Sequence, residues 1–128
     1  MKLVYRCSLL AFASFLLLAQ NPNIKRTIVQ KHDLSTPGHE VNMAVVEIAP
    51  GAFAGRHTHP GEEISYVLEG QMEVLIEGQA TIKAKAGESF FVPAGAKHDA
   101  HNVGSTPVKL VGVYIIESGK PLATPAPQ

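Results

Sequence analysis

Short runs of apolar or alternating residues recur along the middle of the chain, and turn residues separate them. The runs occupy residues 41–48, 64–68, 72–76, 81–84, 89–92, 98–103 and 108–116. Glycine and proline punctuate them, as at Pro50-Gly51, Pro60-Gly61 and Ala86-Gly87. No ten-residue window in this region has apolar residues at helical spacing. Regular short strands with turns between them are typical of sandwiches and closed barrels, so the sequence predicts an all-β fold.

The ends of the chain differ in composition from this middle region. Residues 1–19 have the layout of a secretory signal peptide, because basic Lys2 and Arg6 precede an apolar run over residues 7–19. That run is shorter than the roughly 20 apolar residues of a transmembrane helix. We therefore predict a periplasmic or secreted protein that leaves the membrane after cleavage. An uncleaved anchor remains an alternative, because Leu17 occupies a position where a small residue is usual.

The rest of the chain has the length of one domain. A chain of 128 residues can build a single hydrophobic core. We assign the domain to residues 24–118 and predict a disordered tail over residues 119–128, which contain three prolines and no periodic pattern.

Charge and cysteine content exclude several classes of function. The chain has 11 basic and 11 acidic residues, and loss of Lys2 and Arg6 with a leader would leave a slight acidic excess. Without a basic patch, nucleic acid is not an expected partner. The only cysteine, Cys7, lies in the predicted leader, so the mature domain has no disulfide.

Two linked blocks of polar and glycine residues carry the chemistry. The first has the pattern G-x5-H-x-H-x3-E-x6-G and consists of Gly51, His57, His59, Glu63 and Gly70. The second has the pattern G-x5-P-x-G-x2-H-x3-N and consists of Gly87, Pro93, Gly95, His98 and Asn102. The glycines and the proline suit tight turns, and Asn102 is expected to hold a loop by bonding to backbone groups.

The histidines and the carboxylate of these blocks suggest a metal site. His57 and His59 are two residues apart, so on an extended segment their rings project to one face. Glu63 follows after a turn, and His98 must come from a different hairpin. Three imidazoles and one carboxylate suit a divalent ion of iron, manganese, nickel, cobalt, copper or zinc. On a six-coordinate ion, two positions would stay open for substrate oxygens or dioxygen.

The two blocks resemble the paired signature of the cupin superfamily at every fixed position, and the chain is similar to small bacterial single-domain cupins of the type-2, quercetin-dioxygenase-like kind. The resemblance implies a double-stranded β-helix, or jelly-roll, barrel with His57, His59, Glu63 and His98 as metal ligands. It also implies a metal-dependent enzyme that acts on a small oxygenated organic molecule, with dioxygenase-type chemistry by analogy. Isomerase, decarboxylase or lyase chemistry, and a non-catalytic module that binds a sugar, another small molecule or metal, remain alternatives.

Several neighbouring residues have open roles. Glu62 competes with Glu63 as the carboxylate ligand, and the spacing to Gly70 favours Glu63. Glu63, Glu62 and Tyr66 are the candidate catalytic residues. His101 differs in strand parity from His98 and is expected to face away from the site. The sequence shows no arginine cluster for an anionic substrate: Arg56 should point away from His57, and Arg26 is expected to be remote.

Strand parity also bears on assembly. The segment 108–116 is apolar on both faces, and Ile64, Tyr66 and Leu68 share one face of the strand that carries Glu63. Because a single barrel would expose part of this surface, we predict a homodimer. The alternative is that residues 24–43 cover the surface.

Overall fold

The structure, a computed structural model, describes residues 21–127. The predicted signal peptide lies outside these residues, so export stays a prediction. Within residues 21–127, no helix is both long and apolar enough to span a bilayer.

Ten β-strands build the described part of the chain. They are β1 (Ile24–Asp33), β2 (His39–Ile48), β3 (His57–Thr58), β4 (Gly61–Glu69), β5 (Gln71–Ile76), β6 (Ile82–Lys85), β7 (Ser89–Val92), β8 (His98–Asn102), β9 (Val108–Glu117) and β10 (Thr124–Pro125). They form two antiparallel five-stranded sheets, ordered β1-β2-β9-β4-β7 and β10-β3-β8-β5-β6. The prediction of an all-β double-stranded β-helix is confirmed.

The inner faces of the two sheets meet in one core. Along β2 and β9, every second side chain is buried, as strand geometry requires when one face of a sheet packs and the other meets solvent. The buried apolar side chains come from both sheets and include Ile48, Val67, Met72, Val74, Val92, Val108 and Ile116. The interior also holds buried polar side chains, His57, His59, Glu63 and His98 among them.

In β4 the polar face points into the barrel and the apolar face points outward. Glu63 and Ser65 point inward and are 5% and 0% exposed, whereas Ile64 and Tyr66 point outward and are 51% and 49% exposed. Hydrophobic pattern alone would place the apolar face of this strand inside. The polar face of β4 instead lies inside, where Glu63 contacts Ser65 and His59.

The seven runs predicted as strands correspond to β2 and to β4–β9. The sequence did not predict β1, which is the edge strand of its sheet, pairs with β2 through most of its length and contains a bulge between Ile28 and Gln30. β1 therefore widens a sheet. It does not cover the outer face of β4, which was the alternative to a dimer interface.

The tail is the main correction to the predicted organisation. Thr124 and Pro125 form β10 against β3, with Thr124 opposite Thr58 and Pro125 opposite His57. The amide of Ala126 also donates to the carbonyl of Arg56 at 3.0 Å. The free edge of β3 offers backbone partners to the tail, and a proline is tolerated in an edge strand. A strand of two residues has no periodic pattern, so the sequence could not predict β10.

Candidate metal centre

Three imidazoles converge inside the barrel from two parts of the chain. His57 lies in β3, His59 follows it, and His98 opens β8 directly opposite His57. One ring nitrogen from each of the three histidines lies within 4.8 Å of the other two, and all three side chains are buried. The short loop before β3 is held by Asp99, whose carboxylate accepts a hydrogen bond from the Gly55 amide at 2.9 Å. The two sequence blocks therefore meet at one point, as predicted.

The second nitrogen of each ring is held by the backbone. Nδ1 of His57 is 2.6 Å from the Gly55 carbonyl, and Nδ1 of His98 is 2.9 Å from the Ala96 carbonyl. Nδ1 of His59 is 2.5 Å from the carbonyl of Leu122, in the tail. A carbonyl can only accept, so each Nδ1 carries a hydrogen and each neutral ring presents the lone pair of Nε2. Contacts of this kind orient metal-binding histidines.

Two of these lone pairs face each other at short distance. The Nε2 atoms of His57 and His59 are 3.2 Å apart. With both Nδ1 atoms protonated and both rings neutral, no hydrogen lies between the two Nε2 atoms, so the contact is repulsive unless a metal ion or an added proton supplies positive charge there. Two nitrogen ligands about 2.1 Å from one ion and at right angles to each other are about 3.0 Å apart. The spacing of these two rings therefore fits neighbouring ligands of a single ion.

Glu63 completes the cluster from β4. Its Oε2 lies 3.0 Å from Nε2 of His59 and 3.5 Å from Nε2 of His98. Its Oε1 accepts a hydrogen bond from the Ser65 hydroxyl at 2.6 Å. Burial by itself would raise the pKa of Glu63, but the neighbouring imidazoles of His59 and His98 and the Ser65 hydroxyl bring it well below its usual range. The carboxylate is therefore ionised and directed at the imidazoles.

Burial also changes the protonation of His57. Loss of solvent contact, followed by the charge of neighbouring His98, lowers the pKa of His57 from 6.5 to about 4. At neutral pH this ring is uncharged and its Nε2 is ready to bind a cation without releasing a proton.

Acid should destabilise the metal-free protein. Between pH 6.5 and about 4, His57 takes up a proton in the unfolded chain but not in the folded one, so folding stability falls as the pH falls through this window. A shift of this size corresponds to about 3 kcal/mol at the acid end. The measurement is chemical unfolding in EDTA at several pH values, with His57→Leu as control. Equal acid sensitivity in the two proteins would show that His57 is not the group whose lowered pKa makes the folded state sensitive to acid.

A narrow cavity lies beside the four side chains. Its walls are mostly apolar, and His57, Glu63, His98 and Tyr114 supply polar groups. The Tyr114 ring stands edge-on to His59, with centroids 4.8 Å apart. Burial, and then the negative charge of Glu63, raise the pKa of Tyr114 above its usual range, so the hydroxyl keeps its proton.

A glycine in the middle of β9 makes room for this ring. A Cβ added at Gly112 would lie 2.6 Å from the Tyr114 hydroxyl oxygen. Gly112 thus allows Tyr114 to fold back along its own strand. The sequence signal is a glycine inside a strand pattern, which often marks a close approach.

The structure does not bring two of the three candidate catalytic residues to the site. Glu62 and Tyr66 point outward from β4, and Tyr66 is 49% exposed. Alternate residues of a strand face opposite sides, so neither side chain can reach the interior while Glu63 does. The interpretation of Glu62 and Tyr66 as proton-transfer groups is therefore wrong. His101 stacks on Phe53 with centroids 4.0 Å apart, and faces away from the histidine cluster as expected.

Arg26 was expected to be remote, and the structure corrects this. It lines the cavity together with His57, Glu63 and His98. The alternation of Ile24, Arg26 and Ile28 is a strand pattern that places the three side chains on one face. Because β1 was not predicted as a strand, there was no reason in the sequence to place Arg26 inside the barrel. The contact of the Leu122 carbonyl with His59 was also not predicted, because the type of a side chain does not show where its backbone carbonyl lies.

Glu63→Gln should weaken metal binding much more than Glu62→Gln. The first change removes the charge that faces the imidazoles, and the second alters an exposed side chain on the opposite face of β4. We expect roughly a tenfold or larger loss of Mn²⁺ affinity for Glu63→Gln and little change for Glu62→Gln. Calorimetric titration measures both, and the reverse order would reassign the carboxylate.

Comparison with known proteins agrees with the fold. The chain is 37% identical over 79 residues to germin-like protein subfamily 2 member 2 of Arabidopsis thaliana, a match that covers 58% of this chain and 36% of that protein. It is 34% identical over 74 residues to an oxalate-binding protein of Thermotoga maritima, covering 57% of this chain and 60% of that one. A solved structure of recombinant oxalate oxidase in complex with glycolate is similar with a TM-score of 0.65 at 29% identity, and the match covers 82% of this chain and 56% of the other.

The chain thus spans only 36% and 60% of the length of these two curated relatives. The domain itself is matched directly, because residues 44–114 fit the family described as the cupin domain. This segment includes β3, β4 and β8 and therefore all four side chains of the cluster. The chain belongs to the cupin domain family.

Proposed function

We propose that this protein binds a divalent transition-metal ion through His57, His59, His98 and Glu63 and acts as a metal-dependent oxidoreductase on a small oxygenated organic molecule. The observation that carries the proposal is the 3.2 Å approach of two imidazole Nε2 atoms whose Nδ1 atoms both face carbonyl oxygens. Iron, manganese, nickel, cobalt, copper and zinc all suit such a donor set.

The arrangement also suits chemistry at an open coordination position. When bound, a divalent ion polarises substrate oxygens and holds reacting partners at neighbouring positions. The chain's own residues do the remaining work. Ser65 fixes one oxygen of Glu63 and leaves the other directed at His59. Apolar walls, including Val46, Ile48 and Leu110, and the small volume limit the water that the cavity can hold.

The relatives support small oxygenated acids as the first compounds to test. One is named for binding oxalate, and another is an oxalate oxidase whose structure holds glycolate. Dioxygenase-type chemistry remains the leading analogy from the sequence, with isomerase, decarboxylase or lyase chemistry as alternatives. The second candidate function is a binding module without turnover, which the oxalate-binding relative favours.

Turnover separates the two candidates. Purified protein loaded with Mn²⁺ or Fe²⁺ is offered oxalate, glycolate, catechol and a flavonol while dioxygen and substrate are followed. An enzyme should consume at least one of them in a metal-dependent way, and His98→Ala should abolish the reaction. Tight binding of a compound with no consumption would favour the binding module. Absence of metal binding would overturn the proposal of a metal-dependent oxidoreductase.

We also propose that two copies of the chain associate through the outer face of the β4–β7 region. Ile64, Tyr66, Leu68 and Phe91 are each between 45% and 51% exposed there. Ile64 lies opposite Phe91 on one side and opposite Val113 on the other, so the apolar side chains form one continuous patch. No other described segment covers it. A second copy presents the same patch, and a twofold interface would bury both.

Phe91→Glu should convert the dimer to a monomer. The charge would lie in the centre of the apolar patch, where it would lose solvent on association. Light scattering after size exclusion gives the mass over a range of concentrations. Leu75→Glu, on the outer face of the other sheet, is the control and should leave the dimer intact. A monomer mass for the unaltered protein at all concentrations would contradict the proposal.

A further inference from the structure

Arg26 projects into the barrel from its edge strand. It lies opposite Val46 in the β1–β2 pair, and opposed residues in an antiparallel pair point to the same face. Val46 is 3% exposed and belongs to the core. The Arg26 side chain therefore enters the interior, and it lines the same cavity as His57, Glu63, His98 and Tyr114.

The guanidinium of Arg26 is incompletely satisfied. Its Nε is buried and has no hydrogen-bond partner among the described residues. Arg26 also forms no ion pair with a carboxylate in the described part of the chain. Glu63 is the nearby candidate, but its two oxygens already face Ser65 and the imidazoles. A buried donor on a permanent cation costs stability unless something accepts its hydrogen bond.

The charges in the cavity favour an anion. Among its lining residues, Arg26 and Glu63 are the permanent charges, and they offset each other. A divalent cation at the histidine cluster would leave a net charge of about +2. A ligand that contacts both the metal position and Arg26 lowers the electrostatic energy if it carries negative charge, and planar carboxylates match the guanidinium fork.

The remaining walls restrict the ligand further. Ile24, Val46, Ile48, Met72, Val74, Phe90 and Leu110 supply apolar surface. Such walls cannot satisfy the many hydroxyl groups of a sugar. The cavity volume is about 20 Å³, which is close to the space that a single water molecule needs. A flavonol is far larger than this space, whereas a molecule with a few non-hydrogen atoms exceeds it much less.

We infer that Arg26 determines substrate specificity by binding the carboxylate of a small organic acid whose other oxygens face the histidine cluster. The inference rests on the proposed function, whose substrate class it narrows. Arg26 is thereby a binding residue for the anion and takes no part in holding the metal.

The test compares a carboxylate with a neutral molecule of the same shape. Mn²⁺-loaded protein is titrated with glycolate and with glycolamide, for the unaltered chain and for Arg26→Gln. We expect Arg26→Gln to lower the affinity for glycolate by roughly 10- to 100-fold, because a charge-assisted hydrogen bond is lost. The affinity for glycolamide should change little. Arg26→Lys keeps the charge but loses the planar guanidinium fork. Its affinity for glycolate should lie between those of the unaltered chain and Arg26→Gln.

Controls separate this role from a structural one. Lys25→Gln removes the same charge from the neighbouring, exposed position of β1 and should leave both affinities unchanged. Thermal melting establishes that Arg26→Gln folds, and Mn²⁺ titration establishes that it binds metal as the unaltered chain does. A structural defect would weaken both ligands equally and leave the glycolate-to-glycolamide ratio unchanged.

Mn²⁺ binding tests the proposed function, and the glycolate-to-glycolamide affinity ratio tests the role of Arg26. If Mn²⁺ binds and Arg26→Gln leaves the glycolate-to-glycolamide ratio unchanged, or if the unaltered protein binds no glycolate, Arg26 is not the carboxylate site. If Mn²⁺ does not bind to the unaltered chain, the proposed function fails. The same glycolate titrations on metal-free protein then decide about Arg26, because its contact with the anion needs no metal.

Discussion

Replacing His98 with alanine should lower Mn²⁺ affinity by roughly 100-fold or more while the barrel stays folded. Loss of a residue that merely orients a ligand costs about 10- to 100-fold in metal affinity, and loss of the ligand itself should cost more. His98 comes from β8, and its removal leaves only His57, His59 and Glu63 around the ion. The apolar core, which includes Val67 and Met72, is untouched.

Folding should survive because the histidine makes one hydrogen bond to the backbone. Removing the ring leaves the Ala96 carbonyl without its partner, a cost of about 1 kcal/mol. His101→Ala is the matched control, since His101 lies on the same strand but stacks on Phe53 outside the cluster. Metal content after dialysis and a thermal melt give the two readouts. Near-stoichiometric metal in purified His98→Ala would contradict the assignment of the site.

Gly61→Ala should be among the most destabilising single changes in the chain. A Cβ at this position would lie 1.8 Å from the carbonyl oxygen of Ile115, in the neighbouring strand β9. Backbone cannot move aside as the end of a flexible side chain can, so β4 must separate from β9. We expect a loss of about 3 kcal/mol or more, which corresponds to a fall in melting temperature of roughly 10 °C or more.

The same change should also disturb the site. Glu63 lies two residues after Gly61 on the same strand, so a displaced β4 carries the carboxylate away from His59 and His98. Gly104→Ala is the control, because its nearest neighbours, side-chain atoms of Asn102 and Gln71, lie 3.5 Å from the added Cβ. Thermal unfolding of the two variants gives the comparison. Equal melting temperatures would show that the approach of β4 to β9 is looser than the structure has it.

Local pattern was sufficient for seven of the ten strands, β2 and β4–β9, and for the histidine cluster. The alternation in β2 and β9 reports directly on which side chains are buried, and turn residues delimit the strands. The His57-x-His59 spacing sets two rings on one face, and the two blocks bring His98 to the same place. Asn102 was expected to hold a loop, and it does so by donating to the carbonyls of Ile48 and Thr106.

Other residues could not be placed from pattern. Tyr66 is a plausible catalytic group in the sequence because it lies near Glu63, but strand parity turns it to the outer face. Arg26 is about thirty residues from His57 in the chain and reaches the cavity only because β1 pairs with β2. The tail contributes the Leu122 carbonyl to His59 through a segment that has no repeating pattern at all.

By itself, the amino-acid sequence determined the all-β architecture, the family resemblance and the set of side chains able to bind a metal, because these depend on residue type and short-range spacing. Only the tertiary structure decided that Arg26 and Tyr114 share the cavity with the histidines, that Glu62 and Tyr66 do not, and that the tail orients His59. Such contacts join segments distant in the chain, and strand register, which is set by the packing of the whole barrel, determines which side chains meet.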